Sequence, residues 1–412
     1  MGRAIQPLSF SKSSEKFRAN NSTSRLQTVT ALAVAVIYLC GCACAQLVNV
    51  DLARELCDPR FVQPYNDPLA GVDFLSEDEI LVYTVCHSTG ELAHSEHPRA
   101  TDPNHLKAVI LDIATATVKQ RFDWPTRGRG SLLRVTHSGQ LLLKLDNLLQ
   151  TLRTDGTPIH MLTIPKVNPA DLTFVALSPA VDAIAVTLSS EAAGNKTVNG
   201  VAVLDSRNLQ PMAQWHEGGD WWNLAVSSGS VVRTLKNGST VQVRALEDLN
   251  TDGAPWSPVW SGPVVSAPPL FVSDSSFVFS VLDSLVLFSS KGIRLGEGIC
   301  GNPTDNSTLH FSAVHADRSA VSRDGKVAAM VCFQFLIRGF AGAYSRATNG
   351  WLHVTSVPLF RQLDSISLGD ISTDGFDLAL SPQGNEVAFI DRLRLRVFLV
   401  GASHSRRKKT VR

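Results

Sequence analysis

The sequence predicts an all-β fold built from about seven repeated antiparallel sheets. Two observations carry this prediction. Hydrophobic residues make up 44% of the 412 residues and charged residues only 18%, below the roughly 25% that is usual in globular proteins. In addition, a short strand–turn–strand pattern recurs seven times at intervals of 42–60 residues. Low charge combined with many Val, Leu, Ser and Thr residues favours sheets with buried faces.

Each repeat consists of an apolar strand that ends at a Ser or Thr, a polar turn and a second apolar strand. The Ser or Thr positions that mark the seven copies are Ser76, Thr136, Ser178, Ser227, Ser273, Ser322 and Ser381. A second strand pair follows most copies, as at residues 109–118 and 285–294. Four strands in a period of this length predict the blades of a β-propeller. We expect seven blades, with six or eight as alternatives.

Three copies carry a recognisable turn sequence: Ser178-Pro179, Ser322-Arg-Asp-Gly-Lys-Val-Ala328 and Ser381-Pro-Gln-Gly-Asn-Glu-Val-Ala388. They resemble the S-P-D-G-x-x-L-A repeats of bacterial exported WD40-like and YVTN-type β-propeller proteins. The resemblance covers residues 70–400, and the Gly-His and Trp-Asp dipeptides of WD40 blades are absent. It implies the propeller fold and carries no activity with it.

The last blade needs a strand from the start of the domain. After Ser381 the sequence offers strands only as far as Val400, which leaves the seventh blade one strand short. The apolar stretch Leu47–Leu52 is expected to supply the missing strand, which would close the ring and remove its open edges.

An uncharged N-terminal segment has the features of an export signal. No charged residue lies between Leu26 and Val50, Arg25 precedes this run, and small residues follow the apolar part as far as Ala45. A basic start, a short apolar centre and an A-x-A site predict a secretory signal peptide that is cleaved after Ala45. Such a signal would send the protein to the periplasm or the cell exterior.

Two other interpretations of this segment stay open. Leu39-Cys-Gly-Cys42 resembles a lipobox, in which case Cys42 is the lipidated N-terminus of a membrane-tethered lipoprotein. Alternatively, the segment is retained as a membrane anchor. Its dense apolar part, Ala31–Leu39, is shorter than the ~20 residues that a membrane-spanning helix needs.

The rest of the chain is predicted to form one domain. Residues 1–45 are assigned to the signal, 46–402 to a single propeller and 403–412 to a basic, disordered tail. Removing the five basic residues and one acidic residue of the signal from totals of 38 and 37 leaves 33 against 36, a net charge of −3. A mildly acidic body gives no electrostatic basis for nucleic-acid binding. We expect a monomer.

Four cysteines lie outside the signal: Cys57, Cys86, Cys300 and Cys332. An even number in an exported chain indicates disulfides. Cys86 and Cys332 each follow a repeat marker by ten residues, whereas Cys57 and Cys300 precede the same markers by 19 and 22 residues. Two blades thus hold cysteine pairs at equivalent positions, which predicts Cys57–Cys86 and Cys300–Cys332. Each disulfide would fasten the segment entering a blade to the end of its second strand.

A polar stretch between predicted strands is rich in histidine. His87, His94 and His97 lie close together with acidic residues between them, and His105 follows. Neutral imidazoles and carboxylates ligate zinc and other divalent ions, so the first three histidines are candidate metal ligands. Their spacing matches no established metal motif, and a solvated loop is therefore the default interpretation. No other cofactor is predicted.

Adjacent tryptophans mark a second candidate site. Asp220, Trp221 and Trp222 follow two glycines, which combines a flexible turn with an acid and two rings. Neighbouring residues on a strand point to opposite faces, so one ring is free to stack on a sugar or an apolar ligand. Packing between blades is the alternative interpretation of these tryptophans.

The main functional hypothesis is an exported propeller that serves as a binding or scaffolding module for a protein, a glycan or a small ligand. No G-x-S-x-G, H-E-x-x-H or Walker A motif is present, so catalysis stays an open question. The alternative is a propeller enzyme, such as a hydrolase, a lyase or a quinone-dependent dehydrogenase, with its site in the central channel. Titratable side chains that converge in the channel would favour this alternative.

Overall fold

Seven four-stranded antiparallel sheets make up the described part of the chain, which confirms the predicted all-β propeller with seven blades. The computed structural model describes residues 46–57, 70–86, 104–126, 131–164, 172–192, 195–215, 221–235, 238–250, 255–263, 265, 267–300, 312–336, 346–371 and 375–401. Helical structure within these residues is limited to a 3₁₀ turn at Glu247–Asn250.

Each blade uses four consecutive strands, except that the seventh borrows its fourth strand from the start of the domain. The strands are β1 Gln46–Asp51, β2 Gly71–Phe74, β3 Glu79–Cys86, β4 Asn104–Asp112, β5 Thr117–Thr126, β6 Leu132–Val135, β7 Leu141–Leu145, β8 Leu148–Leu152, β9 Pro158–Thr163, β10 Leu172–Leu177, β11 Ala183–Ala192, β12 Asn195–Asp205, β13 Pro211–Trp215, β14 Trp221–Val226, β15 Ser230–Leu235, β16 Thr240–Ala245, β17 Ser257–Ser261, β18 Leu270–Ser273, β19 Ser276–Val281, β20 Ser284–Ser289, β21 Arg294–Ile299, β22 Ser312–Val321, β23 Val327–Leu336, β24 Arg346–Ser356, β25 Gln362–Gly369, β26 Phe376–Leu380, β27 Glu386–Asp391 and β28 Arg394–Leu399. Blades 1 to 6 begin at β2, β6, β10, β14, β18 and β22, and blade 7 has the order β26-β27-β28-β1.

The ring closes through an N-terminal strand, as predicted. β1 pairs antiparallel with β28, and Val48 and Val50 lie opposite Val397 and Leu395. The first strands of adjoining blades contact one another along the inner wall, for example β26 with β2 and β2 with β6. The fourth strand of each blade is therefore the outer one.

The hydrophobic core is divided into seven clusters, each lying between two successive blades. Alternation along a strand explains how one blade serves two clusters, because successive side chains point to opposite faces. In β27, Val387 and Phe389 pack toward blade 6, whereas Ala388 and Ile390 pack toward blade 1. Strands that are buried on both faces account for the continuous apolar runs in the sequence.

The repeat markers hold the turns between first and second strands. The marker hydroxyl accepts a hydrogen bond from the backbone N–H where the second strand begins, as in Ser230 N to Ser227 Oγ at 3.1 Å and Val327 N to Ser322 Oγ at 3.0 Å. Side chains of Ser and Thr commonly make such local bonds in turns. The marker hydroxyl accepts a local backbone N–H in six of the blades, whereas Ser178 of blade 3 accepts a bond from Phe271 N of blade 5.

Both predicted disulfides are present. Cys57 is joined to Cys86 and Cys300 to Cys332, with Cα–Cα distances of 5.7 and 6.1 Å. In each case a cysteine that follows the outer strand of one blade is joined to the second strand of the next blade. Cys86 ends its strand, as expected, but Cys332 lies within β23, because that strand continues to Leu336.

Several predictions concern residues outside the described part of the chain. They include the signal at 1–45, its alternative lipid site at Cys42 and the basic tail at 403–412. In the described ranges, no helix has the length and apolar character needed to cross a membrane.

Candidate functional site

Three charged side chains meet on the inner wall where the ring closes. They come from the first strands of three successive blades: Asp377 from blade 7, Asp73 from blade 1 and Arg134 from blade 2. The Arg134 Nη1 atom lies 2.8 Å from Asp377 Oδ2 and 3.6 Å from Asp73 Oδ1. The side chain of Asp377 is only 7% exposed and that of Asp73 15%. We call these three residues the channel cluster.

The two carboxylates also bind backbone amides of the adjacent blade. Val72 N donates to Asp377 Oδ2 at 3.1 Å, and Val135 N donates to Asp73 Oδ2 at 3.0 Å. Arg134 completes the arrangement by donating to the carbonyl of Val72 at 3.3 Å. Each acid therefore fastens its own blade to the next one, and the cluster joins three blades.

In the channel cluster, the pKa of Asp73 lies closer to neutral pH than that of an ordinary carboxyl group. Burial, with a smaller contribution from the nearby charge of Asp377, raises the pKa of Asp73 to about 6, although Arg134 and the Val135 amide act to lower it. Burial alone would lower the pKa of Arg134, but its attraction to the carboxylates outweighs that effect and raises this pKa well above its usual range. The guanidinium therefore stays charged.

The enzyme alternative predicts titratable side chains that converge in the channel. The channel cluster supplies such side chains, and Asp73 is the candidate for catalysis among them. Asp73 has a perturbed pKa in a partly enclosed place, which is a common property of catalytic acids and bases. However, Asp73 and Asp377 both accept backbone amides from the neighbouring blade. Structural ion-pair networks perturb pKa values in the same way, and the geometry here is that of a blade-to-blade fastening.

The strands of each blade are antiparallel, so the connections between them alternate between the two faces of the ring. Turns between first and second strands, and between third and fourth strands, lie on one face, which we call the turn face. Connections between second and third strands, and those between blades, lie on the opposite face, which we call the connection face.

On the turn face, hydrogen bonds connect blades that are not neighbours in the ring. Arg323, in the first turn of blade 6, reaches past blade 7 to donate to the carbonyls of Phe74 and Leu75 at 2.8 and 3.4 Å. Burial lowers the pKa of Arg323. In blade 3, Ser178 Oγ accepts a hydrogen bond from Phe271 N of blade 5 at 2.9 Å. Blades that are not neighbours in the ring are therefore hydrogen-bonded to each other at this end.

The connection face has the long connections. In blade 1, 17 residues separate Cys86 from Asn104, and in blade 6 nine residues separate Leu336 from Arg346. The segments that enter these two blades are also long. Blades 1 and 6 are the two that carry the disulfides, and these disulfides link blade 7 to blade 1 and blade 5 to blade 6.

The histidine candidates fall in one of these connections. His87, His94 and His97 lie outside the described residues, in the segment that joins β3 to β4. His105 is the second residue of β4, and its Nδ1 lies 2.5 Å from Asp123 Oδ1 on the neighbouring strand, so this imidazole has a carboxylate partner. Among the residues with described positions, no group of three or more potential ligands is close enough to hold a metal ion. Metal binding by the first three histidines stays a prediction.

The tryptophan candidates start on the same face. Asp220 lies outside the described residues, whereas Trp221 and Trp222 are the first residues of β14. The β14–β15 pairing is irregular here, with a register shift between Trp221 and Asn223. Both candidate sites therefore belong to the connection face, but blade 1 and blade 4 are not neighbours in the ring. Ligand binding by these residues stays a prediction.

The channel cluster was missed by sequence reasoning, although a signal for it exists. Asp73, Arg134 and Asp377 are each the sole charged residue of a first strand. Buried charges are rare unless they are paired. One acid or base inside an apolar inner strand therefore indicates a partner across the channel.

Of the comparisons with known proteins, the one with solved structures found matches. The structure is similar to the WD40 domain of Neurospora crassa Pan2, with a TM-score of 0.51, 12% sequence identity and coverage of 87% of this chain and 95% of that one. Kluyveromyces lactis Hsv2 gives a TM-score of 0.43 at 11% identity, with coverage of 78% and 90%. No family model matches the sequence, and no curated protein matches it. The likeness to the Pan2 domain shows the fold alone, and the strand order gives a β-propeller of seven blades.

Proposed function

We propose that this protein is an exported binding or scaffolding propeller that recognises its partner through the connection face. The observation that carries the proposal is the contrast between the two faces. Turns on the turn face span at most five residues, except for the 11 residues between β16 and β17 of blade 4, whereas the connections of 17 and nine residues in blades 1 and 6 lie on the other face. Long loops on a rigid scaffold are where binding residues concentrate.

Export is supported by the two disulfides. Disulfides form and persist in oxidising compartments and are rare in the cytosol. Fastening the connection face with covalent links also limits the conformational entropy that its segments lose when a partner binds. The partner class is a protein, a glycan or a small ligand, and the periplasm or the cell exterior is the proposed location.

Loop replacement tests the proposal. The purified, oxidised protein is probed against glycan arrays and against exported proteins of its host, alongside a variant with residues 88–102 replaced by a Gly-Ser linker of equal length. A matched control carries Arg153→Ala and Thr154→Ala, two exposed positions on the turn face. We expect partners that bind the parent and the control but bind the linker variant at least tenfold more weakly, if this connection forms part of the site.

The same design is repeated with residues 338–345, so that both long connections of the disulfide-bearing blades are tested. Binding that survives both replacements and is lost with the turn-face control would contradict the proposal. The enzyme alternative is favoured by the channel cluster, in which Arg134 lies 2.8 Å from Asp377 and 3.6 Å from Asp73 and burial raises the pKa of Asp73 to about 6. It predicts turnover of a substrate that Asp73→Asn abolishes while the variant remains folded.

A further inference from the structure

The interface between blades 5 and 6 differs from the others in its polar content. Several buried side chains there have an N or O atom that is shielded from solvent and has no hydrogen-bond partner in the described structure. They are Ser280 Oγ, Ser319 Oγ, Trp351 Nε1, His353 Nδ1 and Ser365 Oγ. Trp351 is 1% exposed, His353 3% and Ser280 0%, so bulk water does not reach the three most buried groups.

Strand register places four of these groups on one face of blade 6. Met330 lies opposite both Ser319 and His353, and His353 lies opposite Ser365. Directly opposed residues in antiparallel strands share a face. These residues therefore form one row across the blade, and Trp351, two positions from His353 on the same strand, lies on that face as well.

This face is directed toward blade 5. Trp351 and Met330 belong to the hydrophobic cluster that also contains Val278 and Leu287 of blade 5. Ser280 is two residues from Val278 on β19 and shares its face, whereas Phe277 and Phe279 pack toward blade 4. Ser280, the fifth residue without a hydrogen-bond partner, thus lies on the blade 5 side of the same interface.

All five groups are neutral. Burial lowers the pKa of His353 to about 4, so its imidazole is uncharged at neutral pH, and the others are three hydroxyls and an indole. An indole N–H only donates, while hydroxyls both donate and accept. The occupant of such a site must be a small neutral molecule that does both.

We propose that the interface between blades 5 and 6 encloses a buried water site bounded by Ser280, Ser319, Trp351, His353 and Ser365. The row from Ser319 to Ser365 crosses all four strands of blade 6, a distance of roughly 14 Å at about 4.8 Å per strand. Several water molecules, each making about three hydrogen bonds, are therefore needed to reach all five groups. Buried polar groups in native proteins nearly always have a partner. Because the five groups line the two sides of one interface, a chain of bridging water molecules satisfies them without five separate rearrangements of side chains.

A high-resolution crystal structure tests the site directly. We expect ordered water within about 3 Å of Trp351 Nε1 and Ser280 Oγ. Water-selective NMR on the 15N-labelled protein, with Trp351→Phe used to assign the signal, should show a long-lived water contact to the Trp351 indole N–H. Direct bonds among the five groups without water, or density for a larger molecule, would each overturn the proposal.

Substitutions supply a readout in solution. If water links these groups, Ser280→Ala removes one of its partners and should lower the melting temperature by about 1–2 °C. If the Ser280 hydroxyl instead has neither a protein nor a water partner, its removal should leave the melting temperature unchanged or raise it.

Thr234→Val is the matched control. Thr234 is 1% exposed, its Oγ1 has no hydrogen-bond partner in the described structure, and it lies at a different blade interface. The Thr234→Val variant is expected to have the same melting temperature as wild type or a higher one. Equal behaviour of the two variants would argue against shared water at Ser280.

Discussion

Arg134 of blade 2 and Asp377 of blade 7 form a 2.8 Å ion pair that passes along the inner wall of blade 1. The same Asp377 oxygen accepts the amide of Val72 in blade 1, so one carboxylate binds both following blades. The ring closes between blades 7 and 1, where β1 completes the outer edge. The seam is therefore fastened twice, by charge at the channel and by strand pairing at the rim.

Removing the cation should destabilise the fold strongly. Arg134→Met leaves two poorly exposed carboxylates without their counter-ion, and breaking a buried ion pair in this way costs about 3–5 kcal/mol. Urea unfolding followed by tryptophan fluorescence measures the loss in the free energy of unfolding. Asp377→Asn, which keeps an oxygen for the Val72 amide, is expected to cost less.

The control for this prediction is an exposed ion pair. Arg207 Nη2 lies 2.6 Å from Asp205 Oδ2, but the Arg207 side chain is 58% exposed. Exposed pairs contribute about 0–1 kcal/mol, so Arg207→Met should change the free energy of unfolding little. A comparable effect of the two substitutions would mean that the channel cluster does not hold the blades together.

The Asp73 carboxyl should add more to the free energy of unfolding in mild acid than at neutral pH. A variant without this carboxyl should lack that pH dependence. Its pKa is raised from 3.8 to about 6 in the folded chain, so the folded state binds the proton more tightly than the unfolded state. The free energy of unfolding therefore falls as the pH rises from about 4 to about 6, by about 3 kcal/mol in total.

The measurement compares wild type with Asp73→Asn across this pH range. Taking the difference cancels His353, whose lowered pKa acts with the opposite sign. A difference between the two proteins that does not change with pH would show that the carboxyl titrates normally in the folded chain.

Sequence reasoning reached the fold because its signals are local and repeated. In six of the seven copies the marker Ser or Thr accepts a backbone hydrogen bond within its own turn. Equivalent positions relative to Ser76 and Ser322 were sufficient to pair the cysteines. The channel cluster depends instead on which strands adjoin after the ring closes. Asp73 and Asp377 are 304 positions apart in the sequence, and no local pattern relates them.

Loss of either disulfide should destabilise the protein without changing its fold. The linked cysteines are 29 and 32 residues apart, and loop-entropy estimates for such lengths give about 3–4 kcal/mol per bridge. Thermal unfolding of Cys300→Ala/Cys332→Ala measures the loss for blade 6. Adding reductant should lower the melting temperature of wild type further than that of the double variant, which retains one disulfide.

Closure by β1 depends on which face of the strand a residue occupies. Val48 is 4% exposed and packs in the cluster between blades 7 and 1, whereas its neighbour Leu47 is 43% exposed. Val48→Asp buries a carboxylate without a partner and should cost several kcal/mol, detected as a lower melting temperature and as aggregation through the exposed edge of β28. Leu47→Asp places the same charge in solvent one residue away and should leave both properties near those of wild type. If the two variants unfold alike, β1 does not pack as the seam requires, and the ring is closed by the inner-wall contacts alone.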